Sequence, residues 1–204
     1  MSAAMQSRPM ALLGPQNETP TLRGVLDSIG AAGPMVLVSA GWEERESETG
    51  ELNEHLGEPA VSLDLWPAAE DVFRADPSVR ATLFRRYDRM GELASIYRVR
   101  LSAELQALRE LLSRTDPAAP DDLIGPALEP AFESLLKLDA HHAERVNQLN
   151  AEIFAEACMS GEVQRVRDRL APALASAGTL LVAGGHVGIL YNRMRLFGIL
   201  DGLN

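Results

Sequence analysis

The chain is poor in the residues that mark several large classes of protein. It has one cysteine, Cys158, in 204 residues. That excludes an internal disulfide framework and any multi-cysteine metal cluster, and it suits a reducing compartment, with Cys158 acting as a small apolar residue on a helix. Lys and Arg number 19 against 29 Asp and Glu, a net charge of −10, and no stretch concentrates the cations without interleaved acids. The footprint of a nucleic-acid binder is therefore missing. No apolar run approaches the roughly 18 residues of a membrane span, and "MSAAMQSRPMALLG" has no basic stretch leading into a long apolar core. The composition predicts a cytoplasmic protein with no membrane partner. Neither G-x-G-x-x-G nor G-x-x-x-x-G-K-[ST] occurs, so a Rossmann-like nucleotide binder trails the other readings and no cofactor is predicted.

What is present is ordinary globular material: 46% apolar and 24% charged residues, enough to bury a core in one domain or in one domain with an insertion. Met10–Leu13 is a short apolar run, and Thr19 with Pro20 makes a helix start ahead of Leu22, Val25, Leu26 and Ile29. "MVLVS", residues 35–39, is the continuous apolar pattern of a strand covered on both faces. "AVSLDLW", residues 60–66, alternates as a further strand, and "TLLVA", residues 179–183, as a fourth. Strands near residues 10, 36, 62 and 180 alternating with helices imply βαβ units and a mainly parallel, open, Rossmann-like sheet.

Between them the periodicity becomes helical. Asp76 and Pro77 open a long helix with apolar residues at threes and fours from Leu83 to Leu112. The Pro-rich connector "RTDPAAPDDLIGPALEP" precedes a second helix striped by Phe132, Leu135, Val146, Leu149 and Ile153. A third helix through Val163, Val166, Leu170 and Leu174 ends at Gly178. The pattern predicts an α/β core over residues 1–76 and 178–204 and an all-helical insertion over 77–177, its two long helices forming an antiparallel hairpin.

In such a sheet ligands gather beyond the carboxyl ends of the strands. The loops predicted there contain Gln16, then Ser39, Trp42, Glu43 and Glu44, then Gly184, Gly185 and His186. The paired glycines admit three explanations: a phosphate cradle, backbone donors for an oxyanion with the following helix aiming its positive end at them, or a tight turn that packs closely. His186 could touch substrate, transfer a proton or cap the helix. The Glu43–Glu48 acids with Trp42 as a wall could recognise an amine or simply form a solvated loop. Asp139 and His142 lie three apart on one face, which fits a metal pair less well than a polar pair setting hairpin register, and no metal is predicted.

"LLVAGGHVGILYNRMRLFGI" and "VLVSAGWEERE" resemble segments of the dipeptidase E and cyanophycinase family, serine peptidases of the class I glutamine amidotransferase-like fold. The resemblance covers roughly residues 10–66 and 178–200. It implies that Gly184 and Gly185 form the backbone oxyanion region and that His186 takes the place of an Asn or another polar residue. It also implies an acyl-enzyme hydrolysis of a small peptide or amide by a serine on a Gly-x-Ser-Ala-Gly-like elbow after the next strand. The chain reaches "ILDGLN" first, and "SAG" at Ser39–Gly41 lacks the preceding Gly-x, so the expectation is the N-terminal part of a longer enzyme or a homologue without its nucleophile. The alternative is a non-catalytic small-ligand-binding or oligomerisation module, with homodimer contacts through the helices or the sheet edge.

Overall fold

The structure, a computed structural model, describes residues 9–13, 20–114 and 124–202. It divides into two compact units, Met1–Ala75 with Gly161–Asn204, and Asp76–Ser160.

In the first unit the order is α1 (Leu22–Ser28), β1 (Met35–Val38), a 3-10 turn (Ala40–Arg45), α2 (Gly50–Leu56), β2 (Val61–Ser62), α3 (Leu65–Ala75), α6 (Gly161–Ser176), β3 (Thr179–Val182) and α7 (Val187–Leu196). The strands form one parallel sheet in the order β2-β1-β3. Val36 is level with Val61 on one side of β1, and Met35 to Val38 are level with Thr179 to Val182 on the other. All four β1 residues are buried, as the unbroken apolar run requires of a central strand. Leu26 of α1, Met35 and Leu56 of α2 make one cluster, flanked by Leu52, Ala60 and Leu181. Leu65, Val72, Phe73, Val163, Leu170, Met194 and Leu196 bury the apolar stripes of α3, α6 and α7.

The second unit is two long helices, α4 (Pro77–Ser113) and α5 (Gly125–Ala157). Asp76 caps α4 by accepting from the Ser78 amide at 3.1 Å, with Pro77 in the first turn where its missing N–H costs nothing. The helices run antiparallel, since their polar contacts pass from Thr82–Glu156 at 3.0 Å, through Arg86–Asn150 at 2.7 Å and Tyr97–Asp139 at 2.5 Å, to Glu104–Ser134 at 2.8 Å. Val79, Leu83, Leu108, Leu138, Leu149, Ile153, Phe154 and Ala157 are the buried apolar residues along them.

The open Rossmann-like sheet of the class I glutamine amidotransferase-like kind, carrying a helical insertion, does not form. Helix makes up 72% of the structure, and the sheet is three short strands. Two local reasons can be named. Met10–Leu13, predicted as the first strand, belongs to no strand, and Met10 and Leu12 are exposed; four apolar residues satisfy a coil as well as a strand. The third predicted strand stops after Ser62, because from Leu65 the chain turns into α3, an element the alternating "AVSLDLW" concealed. Pro67 fits the first turn of that helix, and the free amides ahead of it are satisfied by a side chain from elsewhere, Glu46.

Candidate functional site

The carboxyl end of the sheet is built from three junctions. After β1 the chain enters Ser39, whose carbonyl accepts from the Trp42 amide at 2.8 Å and starts the 3-10 turn. Inside it Glu43 takes φ 58° and ψ −126°, a conformation that non-glycine residues adopt at a cost of about 1–3 kcal/mol. After β3 the Ala183 amide continues the ladder to the Val38 carbonyl at 2.8 Å, and the His186 amide donates to the Gly41 carbonyl at 2.8 Å. The β1 and β3 loops are thereby joined backbone to backbone.

That junction explains why two of these residues are glycine. A Cβ on Gly185, which has φ +140°, would stand 2.3 Å from the Gly41 carbonyl oxygen, and a Cβ on Gly41 would meet the Gly185 Cα and the His186 nitrogen at 3.2 Å. Close packing is therefore a sufficient reason for Gly185. Gly184 differs, because a Cβ there would meet nothing within 4 Å. Both glycines are exposed, and among the described residues no hydrogen bond is formed by the amide of either. His186 caps its own helix, its Nδ1 accepting from the Ile189 amide at 3.3 Å. An imidazole accepting at Nδ1 presents Nε2 as the donor when neutral, so His186 is placed to donate rather than to abstract a proton.

The other predicted residues scatter. Ser39 is fully buried and its Oγ donates to the Glu46 carbonyl at 3.4 Å, which removes it as a nucleophile open to solvent. Trp42 lies half-buried and, with Arg45, Glu48 and Glu51, lines an open depression of about 260 Å³. Arg45 is already engaged with Glu48 at 2.6 Å, which leaves Glu51 as the other charged group of the lining. Glu43 is half-buried and Glu44 is exposed. Gln16 lies outside the described residues. In the helical unit Asp139 and His142 meet Tyr97, which donates to Asp139 at 2.5 Å and stacks on the His142 ring with centroids 4.2 Å apart. The pair is a surface clasp at mid-hairpin rather than a buried one, and the bond to Asp139 holds the Tyr97 phenol above its usual range. Among the described residues no group of three or more His, Cys, Asp or Glu is placed to hold a metal ion.

The most densely built polar group joins Glu46, met in the sequence only as one of the Glu43–Glu48 acids, with Arg193, which the sequence alone did not single out. Glu46 is buried, and its carboxylate accepts from the Leu65 amide at 3.2 Å and the Trp66 amide at 2.5 Å, capping α3 from the β1 loop. Burial pushes this carboxyl up, helped by Asp64 and opposed by the two amides and by Arg193. Arg193 of α7 is buried too, bonded to Glu70 at 3.2 Å, with its guanidinium 4.7 Å from the Phe73 ring and 5.2 Å from the Trp66 ring. One signal could have found it: Ile189, Arg193 and Phe197 recur at fours, placing an arginine on an apolar stripe. Glu46 offered none, being one of several acids in a polar run.

Comparison with protein-family models, with curated proteins and with solved structures gives no match. Among the described residues no helix is long and apolar enough to cross a membrane.

Proposed function

We propose that Gly184 and Gly185, with the α7 N-terminus and the His186 Nε2, form the anion-stabilising rim of a serine peptidase-like or amidohydrolase-like site acting on a small peptide or amide. The observation that carries this reading is the exposed Gly184–Gly185 pair at the carboxyl end of a parallel sheet, its amides without partners among the described residues while the neighbouring His186 amide is used to fix the loop. The family resemblance of residues 180–199 adds to it. The serine that would form the acyl-enzyme is not identified among these residues, since Ser39 is sealed in the core. The single cysteine favours a cytoplasmic setting.

A fluorophosphonate probe applied to the native protein, followed by mapping of the modified residue, tests the chemistry. Labelling of one serine that falls on Gly184→Ala, with the melting temperature unchanged, supports the reading. No labelling of folded protein, or labelling indifferent to that substitution, removes it.

A second reading rests on a separate observation. The helical unit exposes Phe84, Tyr87, Ile96 and Val99 on α4 and Phe132 and Leu136 on α5, each more than half accessible. So much large apolar surface on two helices suits an assembly module, including a homodimer. Sedimentation of the native chain beside Tyr87→Glu/Val99→Glu tests it: a dimer that the double substitution splits favours assembly, and a monomer at high micromolar concentration rules the homodimer out.

A further inference from the structure

The three strand-end junctions are tied together by one buried group of charges, whichever chemistry the rim serves. Glu46 brings the β1 loop to α3 through the Leu65 and Trp66 amides, and its own carbonyl receives the Ser39 hydroxyl. Arg193 brings α7 to the same helix, bonded to Glu70 and lying over Trp66 and Phe73. The charged groups facing the Glu46 carboxylate among the described residues are Asp64 from the β2–α3 junction and Arg193 from α7, with Glu70 behind the arginine. On its own turn Arg45 and Glu48 are exposed and occupied with each other.

We infer that Glu46 is a proton-operated latch: gain of a proton on its carboxyl group changes the α3 cap and the seating of Arg193 on Trp66, coupling the geometry of the strand-end loops to pH. A carboxylate accepts both amides with charge assistance; a protonated carboxyl has turned one oxygen into a donor and accepts less strongly at the other. The same proton removes a negative charge that acts on Arg193, whose ion pair with Glu70 remains. The upward push on Glu46 from burial and from Asp64 puts the transition above the ordinary carboxylate range.

The chain has two tryptophans, so Trp42→Phe leaves Trp66 as the reporter. In that background Trp66 emission titrates as a single proton step with a midpoint above the ordinary Glu value, and Glu46→Gln abolishes the step while circular dichroism remains that of folded protein. Asp64→Asn, which takes away a like charge, moves the midpoint down. This arm decides the matter if Glu46→Gln does not fold, and asparagine tolerates the φ of +50° found at Asp64. A flat profile, a step that persists in Glu46→Gln, or a midpoint unmoved by Asp64→Asn overturns the inference.

Discussion

The balance between burial and hydrogen bonding at Glu46 sets a sign that intuition reverses. Its carboxyl is pushed up in the fold, so the native state binds this proton more tightly than the unfolded chain does. Its contribution is therefore largest at low pH and is lost as pH rises from the ordinary carboxylate value through the raised one. Glu46→Gln keeps an acceptor for α3 and removes the buried charge; urea denaturation should show its stability equal to or above the natural chain at pH 7 and without that decline. Glu46→Ala leaves the Leu65 and Trp66 amides without the cap and should cost about 1–3 kcal/mol at the same pH. At the glycines the contrast is steric. Gly185→Ala forces a methyl against the Gly41 carbonyl and should lose about 1–3 kcal/mol in thermal melting, whereas Gly184→Ala meets open space and should stay within about 0.5 kcal/mol.

Elements show where periodicity suffices and where it misleads. On α4 the spacing from Leu83 to Leu112 located the helix, and Asp76–Pro77 located its start. It did not say which apolar residues are covered, because Tyr87 and Leu112 share that spacing with Leu83 and Leu108 and are exposed. Only the partner helix decides that. Ile153→Ala, at a buried position of α5, should cost about 2–5 kcal/mol, and Leu136→Ala, at an exposed position of the same helix, close to nothing, as read from denaturant midpoints. At mid-hairpin, Asp139→Asn should lower the Tyr97 phenol titration followed by ultraviolet absorbance, since the carboxylate is what raises it. The third predicted strand was cut short for a complementary reason: residues 60–66 alternate as a strand should, but only Val61–Ser62 pair with β1, and the helical continuation is stabilised by a carboxylate 20 residues upstream of Trp66.

For the molecule as a whole, a central strand buried along its full length should be the slowest region to open. Hydrogen exchange should find the Val36–Val38 amides among the best protected of their unit, and exchange there as fast as in the first turn of α1 would contradict that placement. The sequence by itself determined the apolar runs that become β1 and β3, the parallel sense implied by the helices between them, and the long amphipathic helices with the Asp76 cap of the first. These are properties of neighbouring residues, set by side-chain spacing and local backbone preference. Tertiary structure alone decided that the sheet closes at three short strands, that Gly185 is spent on contact with Gly41 while Gly184 is not, that Ser39 is sealed, and that Glu46 and Arg193 become the buried charges of the strand-end rim. Each of those depends on groups far apart along the chain, whose desolvation and contact energies arise only when folding brings them together.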